Sequence, residues 1–383
     1  LSDGQNSAKR DFYIFVLTPE SIDFRSVILD TLFSENSRII TDACRDPSTE
    51  SFKTFTSSLS YMYRFLIKPV EQLFSGRKLI IIPDEEIAGL PFDAFLREDP
   101  GYYQSDYEGL NYLIRKYSIS FNYSSSLLLD HPLPGTISHE VISFAPEYSS
   151  NTGYEQNMTE LPGSAREIKS IYRWFRGKGY RGPDATETAF WQEIQKPAIL
   201  HLAMHTRSDT ADSRYSSLLF SASGDHLNDG KLYNYEISLA RVSSPMVVLS
   251  ACNSGKGSLY HGEGLISIAR GFLLAGAGSV IKTSWEVNDE VSASLITDLY
   301  RFLSKGEYKD DALRQAKLRF MKKFPPSFSH PYFWAAYEVL GSNAAVNNHR
   351  PAFILVIIVI VFACSSRVVF YLRRRKIFLE GLL

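Results

Sequence analysis

This sequence predicts an α/β fold built on a mostly parallel sheet, and three observations lead there. Short apolar runs alternate with helical patterns through residues 12–345, as when strands are joined by helices lying on both faces of a sheet. The runs LIII (79–82) and MVVLSA (246–251) are almost wholly apolar, which suits central strands buried on both sides. Apolar residues make up 44% of the 383 and charged residues 22%, with 25 Phe and 22 Tyr. That balance excludes a disordered chain and fills a sizeable core.

Taken in order, Leu1–Lys9 reads as a linker, and residues 1–49 as an N-terminal extension with a possible edge strand in DFYIFVLTPE (11–20). Strands are expected at Phe12–Leu17, Lys78–Pro83, Tyr117–Phe121, Val141–Phe144, Ala198–Ala203, Met246–Ser250 and Ser279–Ser284. Helices are expected at Thr49–Phe74, Ser164–Phe175, Thr186–Ile194, Gly264–Leu274, Asp289–Leu303 and Asp311–Lys322. Gln104–Gly109 and the Asn/Ser/Gly/Tyr-rich stretch Glu147–Asn157 read as exposed loops. No internal repeat or long low-complexity tract is visible.

Lys and Arg number 41 against 42 Asp and Glu, so the whole-chain charge of a nucleic-acid binder is absent. Three cysteines, Cys44, Cys252 and Cys364, cannot build a disulfide framework. The chain starts at Leu1 rather than Met and is read as the C-terminal part of something longer.

From Pro351 the composition shifts to PAFILVIIVIVFACSSRVVFYL, followed by Arg373, Arg374, Arg375 and Lys376. About 16 residues pass before the first charge and about 22 before the basic cluster, enough for one membrane-spanning helix. A buried core helix would keep a polar stripe, and this segment has none. Residues 351–372 are therefore expected to anchor the chain in a membrane as a single span, with 373–383 a basic tail. Arg350 flanks one side and five basic residues from Arg367 to Lys376 the other. That bias places the tail in the cytoplasm and the large domain outside; a cytoplasmic domain is the alternative.

In open α/β sheets functional groups gather past the carboxyl ends of strands. AILHLAMHT leaves His205 at such an end, and MVVLSACNSG leaves Cys252 at another, before a Gly/Ser-rich run. A cysteine and a histidine on two such loops suit thiol catalysis, in which the imidazole takes the thiol proton and later protonates the leaving amine. Backbone N–H groups around Cys252 can hold an oxyanion. A lone cysteine is more often a small buried hydrophobe, and His201, between Leu200 and Leu202, reads as a satisfied core or lining histidine. Its spacing to His205 lacks the Glu of H-E-x-x-H, so no zinc site is expected. No phosphate loop, G-x-S-x-G elbow or dinucleotide loop occurs. Neither cofactor nor metal is expected.

Order and spacing lift the pair above that background. His205 precedes Cys252 by 47 residues, and caspase-type peptidases place their histidine about 50 residues before the nucleophile. KLIIIPDEEIAGLPFDAF (78–95), LPGSAREI (161–168), DGKLYNYEI (229–237), GEGLISIARGFLLAGAGSVIKTSWEVND (262–289) and HPYFWAAYEVLG (330–341) follow in order. Over roughly residues 50–342 the chain resembles the CHAT domain family of caspase-like (clan CD) cysteine peptidases. The resemblance implies a caspase-like three-layer sandwich over 50–345, with His205 as catalytic histidine and Cys252 as nucleophile. It also implies that the backbone N–H groups of Thr206 and Cys252 bind the oxyanion, although the family's usual Gly after the histidine is Thr206 here. Its usual Glu-Thr after the cysteine is Asn253-Ser254. Upstream tetratricopeptide-type helical repeats are a further implication.

The strand Ser279–Trp285 should run beside the Cys252 strand, so Ser284, Trp285, Glu286 and Asp289 would line the pocket for the residue before the scissile bond. With Glu286, Asp289 and Glu290 and no Arg there, the rim suits Arg or Lys by charge-assisted pairing. The bland reading is that these acids favour the N-terminus of the following helix. The function expected is a cysteine endopeptidase acting on a protein or peptide partner. The alternatives are a catalytically silent membrane-anchored interaction module of the same fold, or another Cys–His acyl transfer.

Overall fold

In the computed structural model, the residues described are 11–84, 87–101, 104–130, 138–148, 161–209, 211–222, 228–250, 259–260, 264–265 and 268–346. The expected linker Leu1–Lys9, the span 351–372 and the basic tail lie outside them, as does most of the loop 147–157. Among the described residues no helix is long and apolar enough to cross a membrane.

Alternating aromatic and aliphatic residues make strands of Asp11–Leu17 (β1) and Ile22–Ile28 (β2). Thr18 ties the turn between them, its hydroxyl accepting the N–H groups of Glu20 and Ser21. β1 is thus a strand as expected, but it pairs with β2 alone, in a separate two-stranded sheet rather than at an edge of the large one. Leu32–Arg45 (α1) then buries Phe33, Ile40, Ala43 and Cys44 and packs on Phe52–Met62 (α2). Ser51 caps α2 by accepting the N–H of Thr54.

The remaining elements alternate as the sequence predicts. They are β3 (Lys78–Ile81), β4 (Ser118–Phe121), α3 (Ser125–Asp130), β5 (Glu140–Pro146), α4 (Pro162–Ile171), β6 (Arg176–Gly182), α5 (Glu187–Glu193) and β7 (Ile199–Leu202). A small antiparallel sheet follows, of β8 (Thr206–Arg207), β9 (Ser217–Leu219) and β10 (Lys231–Tyr233). Then come α6 (Asn234–Leu239), β11 (Val247–Leu249), the short pair β12 (Leu259–Tyr260) and β13 (Gly264–Leu265), α7 (Ile268–Leu274) and β14 (Ser279–Thr283). α8 (Asp289–Leu303), α9 (Lys309–Lys323), α10 (Pro331–Trp334) and β15 (Tyr337–Gly341) complete the described chain.

The large sheet has eight strands in the order β3-β4-β15-β14-β11-β7-β5-β6. Neighbours are parallel except β14 and β15, so two parallel blocks meet head to tail at that one junction. Helices cover both faces. Ser143 of β5 bonds the Tyr172 hydroxyl just past α4. Phe144, one residue on and hence on the other face, packs edge-on against Phe190 of α5, which in turn meets Phe272 of α7. α8 packs on α4, and α9 on α8, completing the first layer. The architecture is therefore α/β in three layers around a mostly parallel sheet. Leu200, Leu202, Val247, Val248 and Leu249 are wholly buried, each stabilising the sheet centre by about 1.5–3 kcal/mol.

Candidate active site

β14, β11, β7 and β5 lie side by side and run the same way, so their carboxyl ends share one edge. β15 runs oppositely and pairs Tyr337 with Thr283, bringing its amino end to that edge as well. β7 and β11 pair in register, Leu202 opposite Leu249. His205 follows the first by three residues and Cys252 the second by three. Cys252 lies outside the described residues, and Ser250 is the last one described before it.

His205 is half-buried, with its main chain held on both sides. Its N–H donates to the Tyr148 hydroxyl at 2.9 Å, and its carbonyl accepts the Leu219 N–H at 3.0 Å. The Tyr148 hydroxyl donates in turn to the Leu219 carbonyl at 2.8 Å, and its ring lies 4.7 Å from the imidazole, centroid to centroid. The histidine is thus locked between the end of β5 and β9. Thr206 continues in the extended backbone of β8, opposite Leu218. Its hydroxyl is buried with no hydrogen-bond partner among the described residues.

The expected pocket residues follow β14 at the same edge, but they differ in setting. Ser284 is half-buried and accepts from the ammonium of Lys282, a lysine buried in an ion pair with Glu338 at 2.7 Å. Trp285 is buried, its indole N–H donating to the Tyr332 carbonyl at 2.9 Å. Glu286 is exposed. Asp289 is the first residue of α8. Lys282 is a cation beneath this rim, and Glu338 neutralises it.

Sequence reasoning passed over a buried polar cluster under the same edge. Glu167 of α4 is only 3% exposed. Its Oε1 accepts from the hydroxyls of Ser250, at 3.0 Å, and Ser292. The Tyr337 hydroxyl lies 2.7 Å from Ser292 Oγ and 3.1 Å from Ser250 Oγ. His201 is wholly buried, its Nε2 3.3 Å from Glu167 Oε2 and its Nδ1 3.3 Å from the Tyr300 hydroxyl. It is buried in the core, as the sequence suggested, but its Nε2 makes no hydrogen bond among the described residues rather than being satisfied. Glu167 stands in LPGSAREI, a string singled out only as a helix start. A charged residue on an amphipathic helix reads as solvated, so only the fold reveals its burial. Among the described residues no group of three or more His, Cys, Asp or Glu is placed to hold a metal ion.

Comparison with known proteins gives a family match over most of the chain. The model of the CHAT domain matches residues 56–342. Mouse (Mus musculus) tetratricopeptide repeat protein 28 is 33% identical over 110 residues, 28% of this chain and 4% of that protein. The chain therefore spans a small fraction of the length of the curated relatives it matches. Among solved structures, the Arg-specific cysteine proteinase gingipain R aligns at TM-score 0.45 with 8% identity, over 82% of this chain and 75% of its own. Separase in the Saccharomyces cerevisiae separase–securin complex aligns at 0.45 with 12% identity, over 83% of this chain and 20% of its own. At such scores these two likenesses assign neither a catalytic residue nor a substrate.

Proposed function

Since the chain belongs to the CHAT domain family, we propose that it is a cysteine endopeptidase in which His205 and Cys252 form the catalytic dyad. The observation that carries this reading is the register of β7 and β11. Leu202 and Leu249 are paired neighbours, and His205 and Cys252 each follow three residues later in the sequence, past strand ends of the kind where α/β folds place their chemistry. The imidazole of His205 accepts the thiol proton, and the thiolate attacks the scissile carbonyl carbon. The tetrahedral intermediate collapses to a thioester as the imidazolium gives its proton to the leaving amine. Water then attacks the thioester, losing a proton to the same imidazole, and the acid product leaves with the thiol restored. Backbone N–H groups of Thr206 and Cys252 would hold the oxyanion.

Two finer points belong to the same proposal. Glu286 and Asp289, beyond the end of β14, favour Arg or Lys before the scissile bond. Helical repeats upstream of residue 1 would supply substrate recognition or restraint, a reading supported by the repeat-protein relative.

The test incubates the purified full chain with a proteome-derived peptide library and reads cleavage by mass spectrometry, beside Cys252→Ala and His205→Ala. Cleavage after Arg or Lys that vanishes in both variants is the expected result. Cleavage that survives Cys252→Ala overturns the dyad. Asp289→Ala should relax the basic preference, and unchanged cut sites in that variant would remove Asp289 from the pocket.

A further inference from the structure

We propose that Glu167 is a positioning residue, whose one carboxylate ties together the two strands that carry the catalytic dyad. This rests on the reading of His205 and Cys252 as that dyad. Ser250, two residues before Cys252, is held twice. Its backbone N–H donates to the Leu202 carbonyl of β7 at 3.0 Å, and its hydroxyl donates to Glu167 at 3.0 Å. The second oxygen of the same carboxylate lies 3.3 Å from Nε2 of His201, on β7 and four residues before His205. One buried side chain from α4 thus contacts both β7, through His201, and Ser250, the residue that follows β11.

The remaining partners brace that carboxylate from elsewhere. Ser292 comes from α8 and Tyr337 from β15, and their hydroxyls complete a closed set with Ser250. A carboxylate in this interior is costly unless its oxygens are engaged. Oε1 has two hydroxyl donors, whereas Oε2 faces His201 without an aligned hydrogen bond. A neutral imidazole with its proton on Nε2 faces Oε2 with a donor and leaves Nδ1 to accept from Tyr300. The pattern fixes where Ser250 lies relative to His201, and hence the distance between the two stems from which the dyad projects. A misplacement of about 1 Å between reacting groups can lower a rate about 100-fold.

The experiment compares Glu167→Ala, Glu167→Gln and Ser250→Ala in the full chain. It reads kcat and KM on a cleaved peptide, the rate of Cys252 alkylation by iodoacetamide, and the folded fraction by circular dichroism. Both alanine variants should lower kcat at least about tenfold per folded molecule, leave KM within about twofold, and slow alkylation in step. Glu167→Gln should stay within about threefold of wild type. Its amide oxygen accepts the same two hydroxyls, and His201 can turn an unprotonated Nε2 to the amide N–H. Should Glu167→Ala fail to fold, Ser250→Ala still carries the test, because it leaves Glu167 bonded to Ser292.

Wild-type kcat and alkylation in the alanine variants, or losses that only follow the folded fraction, would overturn the proposal. A wild type that cleaves nothing, while the alanine variants still slow alkylation, would sink the peptidase reading and leave the positioning role standing.

Discussion

His330 lies flat on Phe55, with ring centroids 4.7 Å apart and planes 13° from parallel, and meets Tyr107 edge-on. Its Nδ1 accepts the Tyr332 N–H at 3.0 Å and so caps α10. Burial holds this imidazole well below its ordinary range, at a pKa of about 4. Between pH 6.5 and 4 the unfolded chain binds the proton and the folded chain does not. The stabilisation is therefore complete above the unfolded value and is lost as pH falls through this window, by about 3 kcal/mol in total. His330→Asn keeps a capping acceptor and removes the titration. Its midpoint of thermal unfolding should fall less steeply than wild type between pH 6.5 and 4, and parallel curves would refute this. At this scale the proposed pair of His205 and Cys252 was legible as a candidate, because a His and a Cys each close an apolar run at a telling separation. Glu167 was not, since its role depends on which helix face the fold buries.

Elements were legible where pattern and length agreed. α8 (Asp289–Leu303) has the bounds its periodicity predicts, and the central strands appear where apolar runs stand. β6 was missed because RGKGYRG has almost none of the residues strands favour. It lies at the sheet edge, where one inward side chain suffices, and Tyr180 provides it by stacking on Phe144 at 4.8 Å. Gly177 is what allows β6 to pair. Its φ is +146°, and a Cβ there would stand 1.8 Å from the Val141 carbonyl oxygen of β5. Gly177→Ala should therefore destabilise the protein by about 3 kcal/mol or more, through strain and lost pairing. At Gly179 the nearest atoms to an added Cβ are side-chain atoms of Ser143 and Tyr172, at 3.2–3.3 Å, and these can give way. Urea unfolding should rank Gly177→Ala well below Gly179→Ala, and equal losses would contradict the close-approach argument. α1 was missed for a different reason: Phe33, Ile39, Ile40, Ala43 and Cys44 do share one face, but Thr31 makes no side-chain cap to mark where the helix starts.

At the scale of the whole molecule, the parallel blocks of the sheet are joined across β14 and β15, where Lys282 and Glu338 pair in the interior. The apolar stretch 351–372 lies beyond the last described residue, Val346. A run that long, with no polar stripe and a basic cluster at one end, is best accounted for by a bilayer, and we propose that it anchors the domain there. Membranes from cells making the full chain should retain it through alkaline carbonate extraction. Ile357→Arg with Ile358→Arg places two charges near the middle of the run, each opposing insertion by about 2.5–3.5 kcal/mol, and should move the chain to the supernatant without altering the fold of the domain. A wild-type chain released by carbonate would refute the anchor. Protease added to intact cells should then remove the domain if it lies outside, as the flanking charges argue, and spare it if it faces the cytoplasm.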